Sequence, residues 1–284
     1  MRTIHSLFFF VALAVVACVP DDKSGPDQTT ATVTIPTQGA TSPTSYPNMS
    51  LFWADEFNGS ELSDNYWTHE TGNGTNGWGN NELQFYRPQN TNIKDGHLVI
   101  TAKKEPFGGK EYTSSRIVTK VKKEFRYGRV DIRAALPKGQ GIWPALWMLG
   151  ANFDTVSWPA CGEIDIMEMV GGSGRENTVH GTVHWQDAGK HAQFGGKTTL
   201  SSGTFSDQFA VYSIIWDATS IRWLVDNKQY HVIDTTPAEL DEFRRNFFFV
   251  FNVAVGGNWP GSPNSSTTFP QHLIVDYVRV FQAN

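Results

Sequence analysis

From residue 50 to residue 281 the chain is a succession of short runs in which apolar and polar residues alternate, each closed by Gly, Asn, Asp or Pro. A strand sends successive side chains to opposite faces, so a run of this kind folds as a strand with one buried face. Residues 97–102, 127–133, 212–216 and 273–281 show the pattern clearly. Residues 221–226 and 229–233 flank Asp226-Asn227 and predict a hairpin. Only residues 237–245 (PAELDEFRR) carry a helical pattern. Many strands with turns at regular spacing predict an all-β sandwich or barrel. Neither a repeat nor a further composition change follows residue 47, so residues 48–284 are expected to form one domain.

The N-terminus reads differently. Arg2 precedes an apolar run over residues 7–17 (LFFFVALAVVA). That run is shorter than the ~20 residues of a spanning helix and suits the core of a signal peptide, residues 1–17. Its end, Val15-Val16-Ala17-Cys18, resembles the lipobox of bacterial lipoproteins, with Val15 where Leu is usual. The resemblance implies lipidation at Cys18 and export to the bacterial cell envelope; with an ordinary signal peptide the chain is secreted. Residues 18–47 are dense in Thr, Ser, Pro and Gly and are expected to be a flexible linker. The only other cysteine is Cys161, so no disulfide framework is available; it is expected to be a small buried filler.

The formal net charge is -5 and no Lys/Arg block occurs, which argues against a nucleic-acid partner. The membrane is expected to be met only through the lipid anchor, and the chain to act as a monomer. Ten Trp suit either a large aromatic core or a cleft whose flat rings cover the apolar faces of sugars.

The segment Gly162-Glu163-Ile164-Asp165-Ile166-Met167-Glu168 carries three acids among apolar residues. In a regular strand Glu163 and Asp165 share a face, while Ile164 and Ile166 point to the core. Glu168 would then enter the core beside them, where an unpaired carboxylate is very costly. A β-bulge near Ile166 or Met167 returns Glu168 to the acidic face. The two glutamates are then expected to lie about 5 to 6 Å apart, as in retaining glycosidases. Three acids on a strand also suit a solvated face or a calcium site. Residues 142–148 precede them; there Trp143, Ala145 and Trp147 share one face, and Ile142, Leu146 and Met148 the other. No His/Cys spacing suggests catalytic zinc.

Glu163-Ile-Asp-Ile-Met-Glu168 resembles the ExDxxE signature of the β-jelly-roll glycoside hydrolases of family sixteen, in their laminarinase-like branch. Lichenases of that family have a form one residue shorter. The resemblance covers residues 50–281 and implies a β-jelly-roll sandwich of two antiparallel sheets with a concave cleft. It implies endo-acting, retaining cleavage of β-1,3-glucan, with Glu163 as nucleophile, Asp165 assisting it and Glu168 as acid/base. It places Asn80, Arg116, Trp143, Trp147 and Trp259 against the sugar. The pattern of residues 182–185 suggests the strand next to the acids, which would put His184 near Glu168 as a further substrate-binding residue, with a structural histidine as the alternative. The resemblance implies no cofactor for catalysis, and a structural calcium held by Glu56, Gly96 and Asp276. Relatives acting on mixed-linkage glucan or another β-linked polysaccharide, and non-catalytic glucan-binding proteins, share the fold; the latter lack the catalytic carboxylates.

Overall fold

The computed structural model describes residues 33–284. The signal segment, Cys18 and the first part of the linker lie outside the described residues. Two eight-stranded antiparallel sheets pack face to face as a β-jelly-roll sandwich. One sheet, the cleft sheet, runs Lys190–Thr199, Thr178–Asp187, Glu163–Glu168, Ile142–Gly150, Phe247–Val255, Arg116–Val118, Thr68–Glu70; Glu124–Phe125 also pairs with Phe247–Val255. The other, the outer sheet, runs Lys228–Asp234, Ser220–Val225, Ala210–Trp216, Gly128–Ala135, Gln271–Ala283, His97–Ala102, Thr91–Lys94; Met49–Asp55 lies on Gln271–Ala283.

Alternation decides which side chains meet between the sheets. In Phe247–Val255 the set Phe247, Phe249, Phe251, Val253 and Val255 enters the main core. The intervening Phe248, Asn252 and Ala254 line the cleft instead. Ile142, Leu146 and Met148 face the core, and Trp143, Ala145 and Trp147 the cleft, as their spacing predicts. From the outer sheet, Trp216 and Trp223 are wholly buried against this layer. Each such large apolar side chain contributes about 1.5–3 kcal/mol by leaving water. The predicted hairpin forms, with Asp226 and Asn227 both left-handed at φ 49° and 63°. The helical stretch is a 3₁₀ segment, Ala238–Arg244, kinked at Leu240.

The linker expectation is corrected in its second part. Val33 and Ile35 pack on Ala135, Phe209 and Ile274 of the folded body. Gly39 bridges to Phe209, and Arg133 Nε donates to the Ala40 carbonyl at 2.7 Å. Tyr46 Oη donates to the buried Asp131 at 2.7 Å, and the Ser42 amide donates to Tyr277 Oη at 2.7 Å. The compact unit therefore starts at Val33, not at residue 48. Composition concealed this, because the segment binds through single apolar residues and main-chain groups rather than through an amphipathic face.

Candidate active site

The acids sit on Glu163–Glu168, in the middle of the cleft sheet. Against the neighbouring strand Thr178–Asp187, Asp165 pairs with Thr182 and Glu168 with His180. Three steps on one strand thus face two on the other, which is a β-bulge at Ile166-Met167. The partner on the other side shows the same extra residue: Trp147 pairs with Asp165, and Leu146 with Met167. Ile164, Ile166 and Met167 are all in the core, while Glu163, Asp165 and Glu168 all line the cleft. The irregularity required by the sequence is therefore present.

A bulge leaves main-chain groups without ladder partners, and these need other bonds. Trp223, from the outer sheet, donates its indole Nε1 to the Asp165 carbonyl at 2.8 Å. Gly181, opposite the bulge between His180 and Thr182, makes room for that ring. A β-carbon there would lie 2.4 Å from Trp223 Cδ1.

The cleft has a volume of about 1300 Å³. Its aromatic walls are fastened by polar contacts. Trp143 Nε1 donates to Glu168 Oε1 at 3.0 Å. Trp147 Nε1 donates to Asn252 Oδ1 at 2.8 Å, and Asn252 in turn donates to Tyr86 Oη at 3.1 Å. Tyr86 Oη and Gln84 both donate to the buried Glu82, to which Asn80 also donates at 3.2 Å. The Arg116 guanidinium pairs with Glu70 and lies over the rings of Trp78 and Trp147, at 4.5 and 4.9 Å from their centroids. Trp259 is 43% exposed and meets Trp143 and His180 edge-on, at 5.6 and 5.0 Å between centroids. An exposed indole held by two other rings on the rim of a cleft is a rigid platform for an apolar face.

His184 corrects the expectation. Its register partner is Glu163, not Glu168. Its Nε2 lies 3.6 Å from Glu163 Oε1 and 3.2 Å from Asp165 Oδ2, and its Nδ1 is bonded to His191 Nε2 at 2.8 Å. The histidine beside Glu168 is His180. Alternation on the strand, with His180, Thr182 and His184 on one face, carried the signal for it. His191 and the exposed Trp158, which pack at 4.6 Å at the Glu163 end, had none, since both depend on which strands become neighbours.

Electrostatics set the protonation of the acids. Removal from water pushes Glu163, Asp165 and Glu168 each up to about 8. Repulsion from Asp165 adds to the rise for Glu163 and Glu168, and His184 opposes it for both. Arg116 favours the carboxylate form at Glu163, and the Trp143 indole favours it at Glu168. A cluster of this kind holds protons at neutral pH; His184 and Arg116 favour the charged form at Glu163, and His184 and the Trp143 indole favour it at Glu168. Cys161, two residues before Glu163, is a free buried thiol pushed up to about 12 by its burial, which suits packing and not nucleophilic attack.

The expected calcium ligands lie on the outer sheet, away from the cleft. A β-carbon on Gly96 would sit 3.5 Å from Asn58 Oδ1, so the turns that carry Gly96 and Glu56 approach each other. The Glu56 carboxylate accepts from Arg279 at 2.7 and 2.8 Å. Asp276 Oδ2 accepts from Arg133 at 2.8 Å, and Oδ1 lies 3.5 Å from His97 Nε2. The set fits calcium in donor type, since all are oxygens. The guanidinium partners leave Asp276 Oδ1 and main-chain oxygens as its donors.

A two-sheet sandwich with buried acids on the floor of an indole-walled cleft defines a polysaccharide-cleaving β-sandwich by its class. The family model for glycosyl hydrolases family 16 matches residues 79–279, and the chain belongs to that family. It is 42% identical to a beta-glucanase of Rhodothermus marinus, over 83% of this chain and 86% of that protein. It is 39% identical to the clotting factor G alpha subunit of Tachypleus tridentatus, over 83% of this chain but 34% of that protein, so the chain spans about a third of this relative. Among solved structures, the laminarinase catalytic domain of Thermotoga maritima is similar with a TM-score of 0.79 and 44% identity, covering 84% of this chain and all of that one.

Proposed function

We propose that the chain is an endo-acting, retaining glycoside hydrolase of β-1,3-glucans. The observation that carries this reading is the bulge at Ile166-Met167, which returns Glu168 to the cleft beside Glu163. The Glu163 carboxylate attacks the anomeric carbon, while Glu168 gives its proton to the departing glycosidic oxygen. The product is a glycosyl ester on Glu163. Glu168, now a carboxylate, takes a proton from water, and the water oxygen displaces Glu163 with a second inversion. His184 steadies the charge on Glu163; Asp165 repels that charge when ionised and assists in its protonated form, which its burial favours. Trp143, Trp147 and Trp259 hold the sugar faces, and Asn80 and Arg116 serve the glycone side. Support comes from the names of the relatives as well as the site.

NMR of the first anomer released from laminarin tests the reaction: β-anomer is expected, and α-anomer would overturn the double displacement. Hydrolysis of mixed-linkage glucan with none of laminarin would assign the site to a different β-glucan. Glu163→Gln and Glu168→Gln are each expected to lower kcat by about 10²–10⁴.

We also propose an N-terminal lipid anchor at Cys18, a monomeric enzyme, and one structural calcium at Glu56, Gly96 and Asp276. The approach of the two turns supports the calcium. Its expected sign is a lower Tm in chelator, restored by calcium; an unchanged melting curve removes it.

A further inference from the structure

Glu163, Asp165 and His184 each bring one donor atom to a common point, all within 4.8 Å of one another. His184 Nε2 stands 3.2 Å from Asp165 Oδ2 and 3.6 Å from Glu163 Oε1. A tetrahedral zinc ion with bonds near 2.0–2.1 Å holds its ligand atoms about 3.3 Å apart. Two of the three edges are therefore close to those of a zinc site before any ion arrives. The third, within 4.8 Å, would close by rotation of the Glu163 carboxyl, whose side chain is 16% exposed.

An independent observation points to a ligand at the same place. Asp165 is 97% buried, being 3% exposed, and its Oδ2 has no hydrogen-bond partner among the described residues. His184 Nε2 is near that oxygen but is not aligned as a donor to it. A buried carboxylate oxygen without a bond is costly, and a cation would satisfy it. The imidazole is prepared for the same task. Metal binding needs the lone pair of Nε2, so the proton must sit on Nδ1. Nδ1 lies 2.8 Å from His191 Nε2, which accepts that proton when its own lone pair is free and so supports this tautomer. The donor set of one imidazole and two carboxylates favours zinc-like ions over calcium or magnesium, which prefer oxygen alone. The fourth position opens into the cleft, which Glu163 and His184 both line.

We propose that Glu163, Asp165 and His184 form a Zn²⁺ site, oriented by His191, and that the bound ion inhibits hydrolysis by engaging the Glu163 carboxylate. Ion binding is independent of the catalytic reading; the inhibition rests on Glu163 being the nucleophile.

The full chain is titrated with ZnCl₂ by calorimetry, with Co²⁺ absorption in the visible as a probe of four-coordination, in buffer holding excess calcium. Laminarin hydrolysis is followed in parallel. One Zn²⁺ per chain is expected to bind, to displace Co²⁺ and to suppress hydrolysis until the zinc is chelated. His184→Ala and Asp165→Asn, checked for folding by their melting curves, should each weaken Zn²⁺ binding at least about tenfold, and His191→Phe by about tenfold. Unchanged Zn²⁺ affinity in whichever of the first two variants folds would overturn the site, as would no Zn²⁺ binding to the wild type. Binding that those variants abolish, without inhibition of the wild type, would confirm the site, overturn the inhibitory half and count against Glu163 as nucleophile.

Discussion

The indole of Trp223 reaches across the sandwich and donates to the main-chain carbonyl of Asp165 at 2.8 Å. This bond couples core packing to the geometry of the acids, because it satisfies an oxygen at the edge of the bulge. Trp223→Phe keeps most of the apolar volume but strips that carbonyl of its donor. An unsatisfied buried acceptor costs about 1–3 kcal/mol. The expected result is a Tm lower by several degrees and a fall in kcat, with KM for laminarin changed less. Loss of stability with kcat intact would separate the bulge from the chemistry.

The raised acids make a prediction about stability. Glu163 and Glu168 ordinarily titrate near 4.5 and are pushed up to about 8 in the folded chain. Below about 4.5 they are protonated in both the folded and unfolded states and have no effect. Between about 4.5 and 8 the unfolded chain ionises freely, while the folded chain must retain protons or hold buried charge. Each group therefore destabilises the fold progressively as pH rises through that window. Glu163→Gln or Glu168→Gln should raise Tm at pH 8, by about 2–4 °C for each kcal/mol relieved, and have little effect at pH 4. Melting curves at the two pH values check this; an equal shift at both would point to packing instead.

The sequence exposed those features that depend on local alternation. Faces could be assigned along residues 142–148, and the need for a bulge followed from Glu168 being out of step with Glu163. What it concealed depends on which strands become neighbours. His184 was expected beside Glu168, but the register opposes it to Glu163, because strand pairing is fixed by turns and packing rather than by the strand's own pattern. His191 and Trp158 reach the cleft through tertiary contacts in the same way. Glu82 is likewise set by tertiary contacts: it is buried as the hub of a network that reaches Trp147 through Tyr86 and Asn252.

The strap formed by the residues from Val33 onward is held at one point by a hydrogen bond from Tyr46 to Asp131. Asp131 is fully buried and also accepts from Arg129 at 2.8 Å and Ser213 at 2.6 Å. Tyr46→Phe removes one donor from a charged group, a loss of about 1.5–3 kcal/mol. Tm should fall by several degrees, while kcat and KM stay at wild-type values, since the strap lies on the outer sheet. A wild-type Tm would mean that this hydrogen bond contributes nothing to the fold, leaving the segment held by Val33, Ile35 and its main-chain contacts.

Trp259 offers the most direct reading of how the cleft holds its polymer. The ring is 43% exposed, yet it meets Trp143 and His180 edge-on, so it is fixed without being covered. Its support, Trp143, is itself bonded to Glu168, so a sugar on Trp259 is set in a frame shared with the acid/base. Truncation removes apolar area from the bound complex and nothing from the reacting groups. A lost aromatic contact of about 1–2 kcal/mol corresponds to roughly a five- to thirtyfold weaker complex. Trp259→Ala should therefore raise KM for laminarin by about that factor and change kcat less. In a Glu163→Gln background the same substitution should weaken laminari-oligosaccharide binding by the same factor in calorimetry. If instead kcat fell with KM unchanged, Trp259 would act on the transition state through Trp143 and Glu168 rather than as a platform for the ground-state sugar.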